Sequence, residues 1–167
     1  PRTPDGKINL FSEQLDAEAP RGLYGYQDAS ENDFPLTLIS PASNSTICSM
    51  LGELVERAAP LEMHPDDAQA RGIQKDDAIR VFNGLGEVQC PVSLTDTVRP
   101  GTVCLPKGLW KKNTFNGSTS NALVSDTLTD LGGGACFNDA RVEVERIVRA
   151  NYEGAAVTIS TSSSKIH

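Results

Sequence analysis

The sequence has few of the residues that build metal and catalytic sites. Its 167 residues include two histidines, His64 and His167, and four cysteines, none of which forms a CxxC pair. Structural zinc sites are usually built from closely spaced ligands of these two types, so a zinc site is disfavoured. We expect all four cysteines to be buried as small apolar side chains: Cys48, Cys90, Cys104 and Cys136.

Common catalytic motifs are also absent. The chain has no GxSxG elbow, no GxxxxGK phosphate loop and no GxGxxG dinucleotide fingerprint. A Ser–His–Asp triad would need His64, but His64 precedes Pro65 and is typical of a residue that begins a helix. Asp66 and Asp67 favour the positive end of the helix dipole, and we expect them to face water. These residues leave open whether the chain is an enzyme.

Basic residues are in the minority. The chain has 15 Lys and Arg against 22 Asp and Glu, a net charge of -7 and a pI near 4.8. Nucleic-acid-binding proteins usually carry a basic patch and a high pI, so we expect no nucleic-acid partner. No apolar run approaches the roughly 18 residues of a membrane span, so we expect no membrane insertion by this domain. The sequence favours neither the bacterial cytoplasm nor the periplasm.

The chain divides into a lead-in segment, a body and a tail. Residues 1–33 are rich in Pro, Gly and acidic residues, start without an initiator Met, and contain one strand-like piece at residues 7–11. We expect a body domain at residues 34–150 and a flexible tail at residues 151–167. We also expect the chain to be a piece of a longer protein.

Short apolar or alternating runs predict a mainly β body. The clearest pattern is a hairpin in which residues 79–82 and 87–94 flank an Asn83-Gly84 turn. A short helix is predicted over residues 64–72, because Pro occupies its first turn and Gly its end. Further strands are predicted at residues 36–39, 61–63, 102–105 and 141–147.

Two long polar loops interrupt the predicted strands, at residues 40–50 and 106–134. Long loops inside compact domains are often functional. In the second loop, Lys107 and Gly108 favour contact with a phosphate, and Trp110 offers a flat face to a ring. A solvated turn around a core tryptophan is the alternative interpretation of the same residues.

The same loops are rich in amides and hydroxyls. Asn113, Asn116 and Asn121 carry amides, which both donate and accept hydrogen bonds and therefore suit the edges of heterocycles. The first loop carries hydroxyls, among them those of Ser43 and Ser49, that favour a polar ligand. Turn and capping bonds within the loops are the alternative interpretation of all these side chains.

The order of these motifs resembles that of a known family. The sequence runs from the strand and Ser-rich loop at residues 36–49 through HPDDA (64–68), RGI (71–73), IRVFN (79–83), TDTVRPG (95–101), GLW (108–110) and NAL (121–123) to a closing VEV (142–144). In this order it is similar to the C-terminal molybdopterin dinucleotide-binding domain of the molybdopterin oxidoreductase family, the group with dimethyl sulfoxide reductase, formate dehydrogenase and nitrate reductase. PDGKI at residues 4–8 resembles the lead-in to that domain. The resemblance covers residues 3–147.

The resemblance implies a fold and a division of labour. The fold would be a double-psi β-barrel, the aspartate-decarboxylase-like fold, with a few short helices. The cofactor would be a molybdopterin guanine dinucleotide whose molybdenum or tungsten is carried by the longer parent enzyme, and we expect it to be absent from the isolated domain. The metal ligand and iron–sulfur cysteines would belong to upstream catalytic domains of the same chain. This domain would then position the cofactor and would not be catalytic by itself.

The resemblance also implies three places of cofactor contact. These are the loop after the first strand, the turn at residues 107–110 and the asparagine at position 121. The family often has a His-Gly-Trp-like element where this chain has Lys-Gly-Leu-Trp. We expect the implied contact residues to meet in one groove: Ser43, Asn44, Ser49, Lys107, Gly108, Leu109, Trp110 and Asn121.

Two other functions on the same barrel stay open at this point. One is a stand-alone double-psi barrel used for protein interaction. The other is a self-processing enzyme that resembles aspartate decarboxylase and would cleave its own chain at Gly117-Ser118, the only Gly-Ser dipeptide in the chain.

Overall fold

The body of the protein is a closed six-stranded β-barrel. The computed structural model describes residues 2–18, 33–44, 46, 48–129 and 133–147. Two short helices, α1 (Glu13–Glu18) and α2 (Pro65–Ala70), accompany the barrel. The strands are β1 (Leu36–Ile39), β2 (Leu61–Met63), β3 (Ala78–Phe82), β4 (Glu87–Leu94), β5 (Thr102–Cys104) and β6 (Ala140–Arg146). The predicted mainly β architecture is confirmed, and each predicted strand of the body is present to within a residue or two.

Strand pairing mixes parallel and antiparallel neighbours. Around the barrel the order is β1-β5-β2-β4-β3-β6, and β6 closes onto β1. The β1–β5 and β2–β4 pairs are parallel, whereas the other four pairs are antiparallel. Because β1 and β5 are parallel neighbours, the loops that follow them leave the barrel at the same end.

The core consists of the inward-facing side chains of all six strands. Alternation along β3 and β4 places every second side chain inside, as the hairpin pattern predicts. Two core residues lie outside the strands: Leu105 just after β5 and Leu123 in the second polar loop, both 0% exposed. Burial of these two leucines ties the second polar loop to the barrel, which contributes about 1.5–3 kcal/mol for each side chain.

Helix α2 is also tied to the barrel. The Nδ1 atom of His64 accepts a hydrogen bond from the Asp66 N–H at 3.2 Å, so His64 caps the helix as the sequence indicates. The Asp67 carboxylate accepts a bond from the Gly101 N–H at 2.7 Å. Arg71, after the helix, pairs with Glu143 of β6 at 2.6 Å. The expectation that Asp67 simply faces water is therefore wrong, because it anchors the turn before β5.

The lead-in segment departs from its prediction. Residues 7–11 form no strand in the structure, and two of their side chains are highly exposed, Ile8 at 73% and Leu10 at 85%. Without a neighbouring strand, an apolar run has nothing to pair with. Helix α1 follows instead, and it buries none of its residues. The predicted tail at residues 151–167 lies outside the described residues. No helix in the described part of the chain is long and apolar enough to span a membrane.

The four cysteines divide into two groups. Cys90 and Cys104 are buried as expected, whereas Cys48 is exposed and Cys136 is half-buried. The burial prediction is wrong for the latter two because both lie in connecting segments and not in strands. Burial raises the pKa of the Cys90 thiol to about 12. Burial, with help from the nearby Glu62 carboxylate, raises the pKa of Cys104 to about 11.

Candidate functional site

The two polar loops lie side by side at one end of the barrel. Hydrogen bonding continues beyond the parallel β1–β5 pair, since the Leu105 N–H donates to the Ile39 carbonyl at 3.0 Å. The Lys107 N–H then donates to the Pro41 carbonyl, also at 3.0 Å. These bonds bring residues 40–49 next to residues 105–110. The expectation that the two loops meet is confirmed.

Gly108 lies directly against the backbone of the first loop. Its φ is +77°, and a Cβ there would overlap the carbonyl group of Cys48 and lie 2.8 Å from the Ser49 nitrogen. A side chain at position 108 would therefore push the loops apart. The first loop is itself strained at this point, because Cys48 and Leu51 have φ values of +53° and +65°. The packing against Gly108 helps to hold this strained segment in place.

Trp110 joins the same two loops. Its indole Nε1 donates to the Ser49 carbonyl at 2.7 Å, and the ring packs so closely on Gly52 that a Cβ there would overlap it. The Lys112 ammonium lies 5.6 Å from the ring centroid and donates to the Glu53 carbonyl at 2.9 Å. The tryptophan remains 40% exposed. Trp110 is therefore neither a core residue nor a free surface ring. It is bonded to and packed against the first loop, and part of its surface remains accessible to a ligand.

The three candidate amides have different roles. Asn113 is 2% exposed, donates to the Val55 and Arg57 carbonyls at 3.1 Å, and accepts from the Trp110 N–H at 3.0 Å. Asn116 accepts from two backbone N–H groups and donates to a third residue's carbonyl. Among the described residues, the side chain of Asn121 has no hydrogen-bond partner and is exposed. The ligand interpretation therefore fits Asn121, and the turn interpretation fits the other two.

The β3–β4 hairpin positions Asn121. The amide of Asn83, at the hairpin turn, donates to the Leu123 carbonyl at 2.8 Å and to the Arg141 carbonyl at 3.0 Å. The absence of a side chain at Gly86 admits the Ala122 carbonyl, which would lie 2.8 Å from a Cβ. These contacts fix the short helical turn at Ser120–Leu123 and so present the Asn121 side chain to the loops described above.

A cavity of about 480 Å³ lies where the loops meet, and we call it the central cavity. Seven of its eleven lining residues are polar, including one cation and one carboxylate. The lining residues are Ser40, Cys48, Ser49, Lys107, Gly108, Ser120, Asn121, Val124, Ser125, Asp126 and Phe137. Four predicted contact residues are among them: Ser49, Lys107, Gly108 and Asn121. The volume is within the range of small-molecule sites.

Two further recesses flank the central cavity. The outer groove, about 780 Å³, is lined by Leu109, Trp110, Lys111, Lys112 and residues 117–119 and 122. The side cavity, about 510 Å³, includes Ser43 and Arg57 and shares Gly108 with the central cavity and Leu109 with the outer groove. Asn44 is exposed and lines none of the three. Its role as a contact stays a prediction, as does that of the other seven residues.

Sequence reasoning missed part of the lining. Ser40 belongs to the hydroxyl-rich run after β1, but nothing in its neighbours indicates that it is buried. Ser125 and Asp126 lie at the end of the second polar loop and Phe137 just beyond it, but no motif marks any of the three. Among the described residues, no group of three or more His, Cys, Asp and Glu side chains could hold a metal ion.

Comparison with known proteins identifies the family. A model described as the molydopterin dinucleotide binding domain matches residues 43–141. The chain belongs to this family. This match confirms the resemblance and favours a molybdopterin dinucleotide-binding domain over the two alternatives on the same barrel.

Similar proteins are considerably longer than this chain. The dimethyl sulfoxide reductase DmsA of Escherichia coli is 31% identical over 170 residues, covering 87% of this chain and 21% of DmsA. The probable oxidoreductase YoaE of Bacillus subtilis is 29% identical over 151 residues, covering 87% of this chain and 22% of YoaE. The chain therefore spans about a fifth of the length of the curated relatives it matches.

A solved structure supports the fold. The acetylene hydratase of Pelobacter acetylenicus superposes with a TM-score of 0.66 at 19% identity, covering 87% of this chain and 24% of the hydratase. Together with the closed six-stranded barrel, this likeness confirms the predicted double-psi β-barrel.

The residues of the site fit a polar, phosphate-bearing ligand. The Ser40 hydroxyl is buried and has no hydrogen-bond partner, and Ser40 lines the central cavity. Lys107 supplies a positive charge, and Asn121 supplies a free amide donor and acceptor. Unpaired donors and acceptors of this kind are what a pterin nucleotide would satisfy.

Proposed function

We propose that this chain is one domain of a longer molybdopterin-dependent oxidoreductase, in which it helps to hold a molybdopterin guanine dinucleotide. The observation that carries the proposal is the meeting of two loops, from distant parts of the sequence, around one cavity that both loops line with polar residues. Four of the eight predicted contact residues line that cavity, and three more line the adjoining recesses. Membership of the dinucleotide-binding family supports the same function.

The charges suggest how the ligand's parts are distributed. Lys107 stands beside the glycine at position 108, a combination that suits a phosphate group. Ser49 and Asn121 present uncharged donors and acceptors to the same cavity, which suit a ring edge. Trp110 borders the outer groove, where its exposed surface is available to a second ring. Leu109, Ser43 and Asn44 are proposed as contacts at the edges of the site.

The domain binds and orients in this proposal, and the bound cofactor supplies the metal and its redox chemistry. The packing of Cys48 against Gly108 and the bond from Trp110 to the Ser49 carbonyl fix residues 48 and 49 of the first loop. Residues that are already fixed lose little entropy when the ligand binds. The domain is not catalytic by itself, since it contributes positioning to a site completed by other parts of the enzyme.

Exposed apolar side chains on the described surface support a larger assembly. Met50, Leu54 and Phe115, which lie within five residues of Ser49 or Trp110 in the sequence, are 63%, 73% and 43% exposed. Large apolar patches on a protein usually mark surfaces that another protein segment covers. We propose the remaining four-fifths of a parent polypeptide, containing its catalytic domains, as the partner that covers them.

Binding of the dinucleotide to the 167-residue chain tests the proposal. The metal-free, oxidised pterin guanine dinucleotide is fluorescent, so its anisotropy reports binding directly. We expect weak but saturable binding, because only part of the site is present. Lys107→Gln and Asn121→Leu should each weaken the affinity about tenfold.

Lys75→Gln is the matched control. Lys75 is exposed in the turn before β3 and lines none of the three recesses, so its substitution should leave the affinity unchanged. No saturable binding to the wild-type chain, or an equal loss in all three variants, would contradict the proposed function.

A further inference from the structure

One buried side chain connects the segments on the two sides of the site. Five hydrogen bonds join residues 49–59, which we call the strap, to residues 110–113 of the second polar loop. Three of the five involve Asn113. Its amide donates to the Val55 and Arg57 carbonyls, each at 3.1 Å. Asn113 is therefore the main attachment of the strap to that loop.

Apolar burial contributes little to holding the strap. Of residues 49–59, all of which the structure describes, Gly52 alone is buried. The large apolar side chains of the strap are exposed, Met50 at 63% and Leu54 at 73%. Segments with few buried apolar contacts open at a low cost in free energy. The position of the strap therefore depends on its hydrogen bonds more than on buried apolar surface.

Asn113 also fixes Trp110. The Asn113 Oδ1 accepts from the Trp110 N–H at 3.0 Å, and the Asn113 N–H donates to the Trp110 carbonyl at 2.9 Å. The indole of Trp110 in turn donates to the carbonyl of Ser49, where the strap begins, at 2.7 Å. A chain of hydrogen bonds therefore runs from the 55–57 backbone through Asn113 and Trp110 to Ser49, which lines the central cavity.

The Asn113 amide is itself occupied by the protein. The residue is 2% exposed, and both of its amide N–H groups and its amide oxygen are bonded. Asn113 borders the side cavity but presents no free donor there. A satisfied buried polar network makes the segments that it joins rigid. Any influence of Asn113 on a ligand therefore passes through the segments that it holds.

We propose that Asn113 is a positioning residue for dinucleotide binding. It holds Ser49 and the Trp110 ring in a fixed relation, so that one dinucleotide can contact both the central cavity and the outer groove. The inference rests on the proposed function and adds to it a residue that acts through Ser49 and Trp110 and not by its own contact with the ligand.

The test compares two variants of the 167-residue chain. Asn113→Leu keeps a similar volume and removes all three side-chain hydrogen bonds. Asp67→Ala is the control, because it removes the 2.7 Å bond to the Gly101 N–H at the opposite end of β5 from the two loops. Trp110 is the only tryptophan of the chain, so quenching of its fluorescence by acrylamide reports how firmly the ring is held.

We expect the quenching constant of the ligand-free chain to rise about twofold or more in Asn113→Leu, because the indole is released from the strap. The affinity for the metal-free, oxidised pterin guanine dinucleotide, measured by anisotropy, should fall about tenfold or more. Asp67→Ala should lower the urea midpoint of unfolding but leave the quenching constant and the affinity unchanged.

A measurement on the wild-type chain keeps the test valid if Asn113→Leu fails to fold. Coupling between two parts of a protein is reciprocal, so a bound dinucleotide should stabilise the arrangement that Asn113 maintains. Its backbone carbonyl and Oδ1 accept from the Ala59 and Trp110 N–H groups. Saturating dinucleotide should slow hydrogen exchange of these two amides about threefold or more. The Gly101 amide, which bonds to Asp67, should exchange at an unchanged rate.

Three outcomes would overturn the inference. Unchanged affinity in Asn113→Leu, or unchanged exchange of both amides on binding, would remove the positioning role while leaving the proposed function intact. Equal losses of affinity in Asn113→Leu and Asp67→Ala would make Asn113 a residue of general stability. If the wild-type chain shows no saturable binding of the dinucleotide, the proposed function fails together with the inference.

Discussion

Three glycines make the site possible through the side chains that they lack. Gly108 admits the backbone of Cys48, Gly52 admits the indole of Trp110, and Gly86 admits the carbonyl of Ala122. Each contact joins segments that are distant in sequence, so each glycine acts as a point of close approach between two chain segments. Close approach at these glycines therefore helps to hold the loops around the central cavity, together with the buried side chains of Leu105 and Leu123.

Comparing Gly108→Ala with Gly72→Ala separates the energetic cost of a steric overlap from the cost of a positive φ. Both glycines have positive φ, +77° and +64°, but a Cβ at position 72 would have no atom within 4 Å. We expect Gly72→Ala to lower the free energy of unfolding by ~1 kcal/mol, the cost of the left-handed conformation alone. Gly108→Ala should cost at least ~2 kcal/mol more and weaken dinucleotide binding. Urea unfolding measures both, and equal losses would show that the Cys48 contact is unimportant.

The asparagines show where residue type fails to predict a role. Asn113 and Asn121 lie in the same loop, and the sequence gives both the same ligand interpretation. Asn113 is buried and bonded to the 55–57 backbone, whereas Asn121 is exposed without a partner among the described residues. The difference arises because the 55–57 segment passes next to position 113, and no local pattern in the sequence reports that approach.

At the level of elements, the β3–β4 hairpin supports the site from outside it. The Asn83 side chain accepts from the Leu85 and Gly86 N–H groups, which shapes the turn. The same side chain donates to the Leu123 and Arg141 carbonyls, which joins the turn to the short helical turn and to β6. The hairpin itself is readable from the sequence, because alternation and the Asn-Gly turn are short-range signals. Its contact with the second polar loop is not.

Asn83→Ala should loosen the helical turn that carries Asn121. Four hydrogen bonds are lost, and two carbonyls lose their donor, so we expect the free energy of unfolding to fall by ~2–4 kcal/mol. Hydrogen exchange should quicken selectively at the Ala122 amide, which bonds to the Thr119 carbonyl in this turn. Asn44→Ala, at an exposed position, serves as the control and should change stability by less than ~0.5 kcal/mol. Uniform acceleration across the barrel would argue against this local role.

At the scale of the whole molecule, side chains from all six strands pack into one hydrophobic core, together with Leu105 and Leu123, which anchor the second loop. Two thiols form part of the barrel's buried surface, Cys90 at 0% and Cys104 at 7% exposure. Burial raises their pKa values to about 12 and about 11, so the folded protein keeps these protons at a pH where the unfolded chain loses them. Unfolding is therefore linked to proton release at alkaline pH.

The sign of this linkage gives a pH prediction. The thiol contribution to stability is fully present below pH 9, the ordinary thiol pKa, and is lost as the pH rises towards 11 and 12. Each thiol adds a slope of about -1.4 kcal/mol per pH unit in that range. Cys90→Ala should be somewhat less stable at pH 7 but should lose stability less steeply between pH 9 and 11. Urea unfolding at several pH values measures this, and parallel curves for the two proteins would refute it.

The sequence by itself determined the strands, the α2 helix, the hairpin and the family, because alternation, capping residues and turn glycines act over a few neighbouring positions. It also indicated that two polar loops form the site. Only the tertiary structure decided which amide remains free for a ligand, that of Asn121 and not that of Asn113. The physical reason is that these hydrogen bonds join segments some 60 to 100 residues apart, such as Asn113 with Val55 and Ser40 with Asn138. Such segments meet only when the barrel closes.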